Sequence, residues 1–153
     1  MALQVGDVIP HFTAKDAQGN DFDSHQYIGK KPLVIYFYPR DNTPGCTAQA
    51  CSFRDQYEDF TDLGAEVIGI SSDTATSHDA FAKRYKLPFI LIADVDKSIR
   101  KRFGVPTGLF GVMPGRVTYV TDKKGVIILI FDNSLMATKH IPKALAAIKK
   151  LVS

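Results

Sequence analysis

Cysteine is scarce in this chain of 153 residues, and long apolar runs are absent. A small secreted fold held together by disulfides is usually richer in cysteine than the two found here. The opening MALQVGDVIP has no basic start, no apolar run and no small-residue cleavage site, and no later stretch is long enough to span a bilayer. We therefore expect a cytoplasmic protein that neither enters a membrane nor is exported.

An excess of charge of one sign is also lacking. Lys and Arg number 19 against 16 Asp and Glu, which leaves a formal net charge of +3. The densest basic run is KSIRKRF at 97–103, and a short run of this kind is typical of a solvated helix face. Nucleic acid is therefore not an expected partner.

Linkers, repeats and low-complexity segments are missing as well, so we predict a single domain over residues 1–153. Short runs that are apolar on both faces predict strands covered on both sides: LVIYFY (33–38), EVIGIS (66–71) and FILIA (89–93). Two further pairs of segments predict hairpins: the edge strands around DAQGND (16–21), and RVTYVT (116–121) with VIILIF (126–131). These segments predict a sheet with a hairpin near each end of the chain.

Amphipathic segments separate the strands and predict helices. Three groups have apolar residues at helical spacing: Ala50, Phe53, Tyr57 and Phe60; Phe81 and Tyr85; and Ile141, Leu145, Ile148 and Val152. Thr76 with Asp79 suggests a capping box, and Gly104 suits the end of a short helix over 97–103. The order of elements favours α/β layers over a barrel or a helical bundle.

Both cysteines lie in PRDNTPGCTAQACSFRD, residues 39–55. Pro39 ends the first central strand, a Thr-Pro-Gly loop follows, and the helical stripe begins at Cys46. The first turn of a helix has unpaired N–H groups and the positive end of the helix dipole, which favour a thiolate there. Cys46 is therefore predicted to be the better nucleophile of the two.

Cys51 lies five positions after Cys46, which rotates it by roughly 140° to another face of the helix. The two Cα atoms should then be about 8.6 Å apart, beyond the roughly 7 Å within which a disulfide closes without backbone movement. A bond between them requires the start of the helix to unwind. This spacing suits a disulfide that forms and is reduced again, after oxidation of Cys46 by a peroxide to a sulfenic acid.

The motif Pro39-x-x-x-Thr43-x-x-Cys46 matches the active-site signature of peroxiredoxins, and TPGCTxxAC followed by FRD resembles the bacterioferritin-comigratory or PrxQ subfamily. The resemblance extends over nearly the whole chain, from GDVIPHFTAKDAQG through ISSDTATSHDAFAKRYKLPFILIADVD to GRVTYVTDKKGVI. It implies a thioredoxin-like α/β fold, with a central mixed sheet flanked by helices and an N-terminal β-hairpin.

The resemblance also implies roles for individual residues. Cys46 would be the peroxidatic cysteine and Cys51 the resolving cysteine of the same chain, as in an atypical 2-Cys peroxiredoxin. Thr43 would hydrogen-bond the thiolate and the peroxide, Pro39 would shield the sulfur from water, and Arg116 would hold its guanidinium beside it.

The implied reaction is an antioxidant one: reduction of hydrogen peroxide and organic hydroperoxides, with no metal or other cofactor. Thioredoxin or a similar dithiol would be the reductant, and a monomer is expected because resolution occurs within one chain.

One residue departs from the subfamily pattern. Gln49 stands where Glu usually precedes the Ala-Cys of the resolving cysteine, which keeps hydrogen bonding but removes a charge. We expect Gln49→Glu to shift the thiolate titration of Cys46.

Three other interpretations remain open from the residues alone. The cysteines could be buried small apolar residues without a redox role. Two thiolates could bind a metal ion with one of His11, His25, His78 and His140, although each of these is more typical of a surface or hydrogen-bonded histidine. A thiol-disulfide oxidoreductase is the third class, but it normally uses Cys-x-x-Cys. Phe110 and Met113 could line a substrate entrance or belong to a surface loop.

Overall fold

The computed structural model describes residues 2–108 and 113–152. Its strands are β1 (Thr13–Asp16), β2 (Asp21–Asp23), β3 (Leu33–Phe37), β4 (Glu66–Ser71), β5 (Ile90–Ala93), β6 (Thr107–Gly108), β7 (Met113–Pro114), β8 (Val117–Thr121) and β9 (Ile127–Asp132). Its α-helices are α1 (Pro44–Asp62), α2 (Ala75–Tyr85), α3 (Ser98–Phe103) and α4 (His140–Val152), and 3₁₀ turns lie at Ser24–Gln26 and Ala137–Lys139. Phe110 is outside the described residues.

Seven strands form one mixed sheet in the order β2-β1-β5-β4-β3-β8-β9, while β6 pairs with β7. The predicted central strands β3, β4 and β5 are parallel to one another, and β8 runs antiparallel beside β3. Both predicted hairpins are present. The prediction that the first hairpin consists of two edge strands is wrong for β1, which pairs with β5 as well as β2.

Alternating side chains of β3 enter two separate cores on opposite faces of the sheet. Val34 and Tyr36 pack with apolar residues of α1, α2 and α4, such as Phe53. Ile35 and Phe37 pack on the face that α3 covers. Because both faces are buried, the strand is apolar throughout, which is the pattern from which it was predicted.

The helix ends agree with the sequence in part. Gly104 ends α3 in the left-handed conformation at φ 63°, as predicted. The prediction that Thr76 begins α2 is wrong, because Thr74 caps the helix and its side chain accepts a hydrogen bond from the backbone N–H of Ser77. On the predicted apolar face of α4, Ile141 and Ile148 are buried, Leu145 is half-buried and Val152 is 47% exposed.

Among residues 2–108 and 113–152, no helix combines the length and the apolar character that crossing a bilayer requires.

Candidate active site

Cys46 occupies the first turn of α1, as the sequence predicts. The helix begins at Pro44, where a missing N–H costs nothing because that position has no partner within the helix. Thr43 precedes it in an extended conformation, and its carbonyl accepts the N–H of Thr47 at 2.8 Å. Cys46 is only 1% exposed, so its sulfur lies inside the protein, where nearby charges act through little water.

Arg116 is the charged residue in contact with that sulfur. Its Nη2 donates to Cys46 Sγ at 3.4 Å, its Nη1 to Gln49 Oε1 at 2.5 Å, and its Nε lies 3.4 Å from the carbonyl oxygen of Ser134. Arg116 is 5% exposed, and these three contacts hold its guanidinium in place. A fixed positive charge beside Cys46 favours the thiolate and provides a donor for oxygen charge that develops there.

The sheet brings these two residues together although 70 positions separate them. Helix α1 follows the carboxyl end of β3, and β8 pairs antiparallel with β3 so that Phe37 lies opposite Val117. The residue just before β8 therefore lies at the same edge of the sheet as the start of α1. The contact that the resemblance implied for Arg116 is present in the structure.

Gly45 makes this close approach possible. A Cβ atom at this position would lie 3.1 Å from Nη2 of Arg116, tighter than ordinary van der Waals contact. The absence of a side chain lets the guanidinium reach the first turn of α1 and the Cys46 sulfur.

Gln49, the departure noted in the sequence, contacts Arg116 directly and is fully buried. Its Oε1 accepts from the guanidinium, whereas its Nε2 has no hydrogen-bond partner within the described residues. An unpaired buried N–H group is costly, so this position is not optimised for stability. With an amide here, the guanidinium charge facing Cys46 is not neutralised by a carboxylate.

Thr43 and Pro39 lie beside the site, but the roles predicted for them stay predictions. The hydroxyl of Thr43 donates to the carbonyl of Arg40 at 2.9 Å rather than to Cys46. Pro39 is half-buried in the segment between β3 and α1. Both residues belong to the loop that leads into the first turn of α1.

Cys51 is half-buried in the same helix, and both thiols are free. Because α1 is continuous from Pro44 to Asp62, the separation of about 8.6 Å between the two Cα atoms applies, and a disulfide requires unwinding. The structure thus has the reduced, wound form that the sequence interpretation requires.

Tyr36 is a buried residue that the sequence analysis did not identify as part of the site. It lies on β3, and its hydroxyl has no hydrogen-bond partner within the described residues. Burial, and secondarily the negative charge of a Cys46 thiolate, raises the pKa of this phenol well above its usual value. No sequence signal marks Tyr36 as a neighbour of Cys46, because it occupies one more apolar position of a central strand.

Two of the four histidines are buried and hydrogen-bonded. His140 lies between Thr118 and the carbonyl of Asn133, and burial, with the nearby Arg116 charge, lowers its pKa to about 4. His78 faces Asp41 at 2.7 Å. The sequence offered no means to pair these residues, since they are distant along the chain.

The arrangement of metal-capable side chains does not match the proposed alternative of two thiolates and a histidine. Within the described residues, ligand atoms converge in two groups that contain no cysteine: His11, Asp23 and His25, and Asp41, Asp73 and His78.

Comparisons with known proteins agree with the geometry. A family model described as the AhpC/TSA family matches residues 5–130. A chloroplastic peroxiredoxin Q of Triticum aestivum is 54% identical over 146 residues, which cover 95% of this chain and 67% of that protein. The chloroplastic peroxiredoxin Q of Sedum lineare is 52% identical over 146 residues, 95% of this chain and 78% of that protein.

Solved structures are similar over nearly the whole chain. Peroxidoxin BcpB from Mycobacterium tuberculosis matches with a TM-score of 0.90 and 30% identity and covers 99% of each chain. The bacterioferritin comigratory protein of Xanthomonas campestris, whose structure is described in connection with alkyl peroxide reduction, matches with a TM-score of 0.84 and 27% identity over 93% of this chain and 92% of that one.

Proposed function

This chain belongs to the AhpC/TSA family, among its peroxiredoxin Q members, and from this we propose how its two cysteines divide the work of a thiol-dependent peroxidase. The fold is thioredoxin-like, as the sequence resemblance implied. The observation that carries the proposal is the contact of 3.4 Å between Arg116 Nη2 and Cys46 Sγ.

In the first step, the Cys46 thiolate attacks one oxygen of the peroxide and the O–O bond breaks. The thiolate, the peroxide and one proton become a sulfenic acid and water, or an alcohol when the substrate is an organic hydroperoxide. Arg116 favours the thiolate and donates to the oxygen that becomes negative. Thr43 hydrogen-bonds the peroxide, and Pro39 shields the Cys46 sulfur from water.

In the second step, the first turns of α1 unwind and the Cys51 sulfur attacks the sulfenic sulfur. An intramolecular disulfide forms and one water molecule leaves. Residues of one chain carry out both steps, which supports a monomer built from one domain over residues 1–153.

In the third step, an external dithiol reduces the disulfide, and we propose thioredoxin for this role. Cys51 is the more accessible of the two cysteines, which favours attack by a second protein at this side. A cytoplasmic location agrees with two free thiols, whereas the plant relatives are named as chloroplastic, so cell fractionation is the test of location. Sedimentation at micromolar concentration tests the monomer.

Peroxide consumption coupled to a thioredoxin system, measured for the wild type, Cys46→Ser and Cys51→Ser, tests this cycle. Activity that survives loss of Cys46 would contradict the assignment. The intact mass after one equivalent of peroxide is a second test: loss of two hydrogens supports the internal disulfide, and gain of an oxygen atom in the wild type contradicts it.

A further inference from the structure

The segment that unwinds in the proposed cycle is attached to helix α2 at both of its ends. Upstream, Asp41 contacts His78, in the middle of α2, at 2.7 Å. Downstream, Nη1 of Arg54 donates to the carbonyl oxygen of Tyr85, the last residue of α2, at 2.7 Å. Residues 42–53, which include both cysteines, lie between these two anchors.

The upstream anchor is built from four buried or half-buried partners around Asp41. Its Oδ1 accepts the hydroxyl proton of Tyr38 at 2.6 Å, and its Oδ2 accepts from Ser77 at 2.9 Å and faces Nδ1 of His78. Its backbone N–H donates to Asp73 at 2.8 Å. Asp41 is 5% exposed, so these bonds form out of contact with most water and are costly to break.

The ring of His78 is held on its second side as well. Nε2 of His78 faces the carbonyl oxygen of Ile92 at 2.9 Å, and a carbonyl only accepts, so Nε2 carries a proton. Nδ1 lies 2.7 Å from Oδ2 of Asp41 and 3.3 Å from the hydroxyl of Tyr38, so both ring nitrogens have polar partners. Contacts on both sides hold the ring in one orientation and keep His78 in place as a partner of Asp41.

The chain changes direction directly after this anchor. Asn42 adopts the left-handed conformation at φ 62°, which few residues other than glycine adopt without cost. Beyond it, Cys46 and Gln49 are joined to Arg116. Unwinding of residues 44–53 would break those contacts and helix hydrogen bonds without requiring either attachment to α2 to break.

We propose that Asp41 and His78 are positioning residues that fix the upstream limit of the segment that unwinds, a role that rests on the proposed cysteine cycle. While Asp41 is held, the loop with Pro39 and Thr43 stays in place for the attack on peroxide. When Asp41 is released, a longer segment gains conformational freedom on unwinding, so the unwound form becomes easier to reach.

The anchor therefore sets the outcome of a competition at oxidised Cys46. The sulfenic acid either reacts with Cys51 to give the disulfide and water, or reacts with a second peroxide to give a sulfinic acid and water or an alcohol. In the second reaction the sulfur loses two more electrons to the O–O bond. A tight anchor slows unwinding, so it increases the share of sulfinic acid when peroxide is abundant.

The test measures two rate constants separately in Asp41→Asn: that for oxidation of Cys46 by peroxide and that for formation of the disulfide with Cys51. The chain contains no tryptophan to report the steps by fluorescence, so rapid quenching with thiol trapping and mass spectrometry follows the sulfenic, disulfide and sulfinic forms. We expect oxidation of Cys46 to slow by about tenfold, because its loop is less well placed. Disulfide formation should become about fivefold faster, a change of the size that one hydrogen bond produces, and less sulfinic acid should form.

Asp23→Asn is the matched control. Asp23 also faces a histidine at 2.7 Å, but both side chains of that pair are more than 40% exposed and lie outside the segment between β3 and α1. This variant should keep both rate constants of the wild type.

Tyr38→Phe provides a milder variant that removes a single donor, and it should change both rate constants in the same directions by smaller factors. The proposal is overturned if disulfide formation is unchanged or slower in both Asp41→Asn and Tyr38→Phe. Failure of wild-type Cys46 to become oxidised would instead overturn the proposed function.

Discussion

Cys46 and Cys51 belong to one helix but have very different surroundings. Cys46 is buried in the first turn, where Arg116 contacts its sulfur. Cys51 is half-buried one and a half turns further along α1. The difference supports the proposed division of roles, in which the surroundings at the helix start make Cys46 the nucleophile and Cys51 reacts after the helix has opened.

The largest expected effect comes from exchanging each sulfur for oxygen. Cys46→Ser should lose all peroxide consumption, because no thiolate remains beside Arg116. Cys51→Ser should still be oxidised once by peroxide but should not return to the reduced form with thioredoxin. Single-turnover trapping of the sulfenic acid measures the first step, and coupled consumption measures the whole cycle. If the first oxidation by peroxide is lost equally in Cys46→Ser and Cys51→Ser, the two cysteines do not have the different roles proposed for them.

The next largest effect is expected for Arg116→Gln. Loss of a donor aimed at developing oxygen charge costs about 10²- to 10³-fold, and we expect that decrease in the rate of Cys46 oxidation. The alkylation rate of Cys51 should not change. Arg102→Gln is the control, because Arg102 is exposed and donates to the carbonyl of His11. Similar losses in both arginine variants would indicate a general effect of charge rather than the contact with Cys46.

A smaller effect is expected for Gly45→Ala, which pushes the guanidinium away from the helix start. The new Cβ would lie 3.1 Å from Nη2, so Arg116 must shift by a few tenths of an ångström. We expect Cys46 oxidation to slow by about tenfold. The free energy of unfolding should not fall in proportion, since alanine favours a helix more than glycine does. Undiminished peroxide reactivity in this variant would show that the site tolerates a displaced guanidinium.

Gln49→Glu should act on Cys46 alone and more weakly. The added carboxylate would partly neutralise the charge of Arg116, so the thiolate would be less favoured and its titration would move to higher pH. Absorbance of the thiolate against pH measures the shift, with Cys46→Ser as the blank. An unchanged titration would contradict the hypothesis.

The smallest effect on the reaction at neutral pH is expected for His140→Gln. Because burial lowers the pKa of His140 to about 4, the unfolded chain takes up a proton below about pH 6.5 before the folded protein does. The folded protein should therefore lose stability as the pH falls from about 6.5 towards 4. Over the same pH range the free energy of unfolding of His140→Gln should fall less, as measured by urea unfolding at several pH values. Equal pH dependence of the two proteins would exclude His140 as its source.

Local signals predicted much of the fold and part of the site. Strands covered on both faces are apolar throughout, and Pro44 and Gly45 set the helix start before Cys46, so these features followed from the sequence. The cap of α2 did not, because Thr74 and Thr76 offer equivalent local signals and the tertiary structure decides between them.

Contacts between distant segments could not be predicted from spacing. Gln49 attracted attention only as a departure from a motif, and its contact with Arg116 depends on the pairing of β3 with β8. Asp41 and His78 show no sequence pattern in common, because a loop and a helix face meet only after the sheet has formed.

The alignment of β3 with β8 also makes the reactivity of Cys46 depend on strand register. Side chains alternate between the two faces of a strand, so a slip of one position would carry Arg116 to the opposite side of the sheet. The helices, the cores and both thiols could then persist while the Cys46 sulfur lost its contact with the Arg116 guanidinium. An insertion or deletion in β8 should therefore slow oxidation of Cys46 about as much as Arg116→Gln does, without removing any residue of the signature.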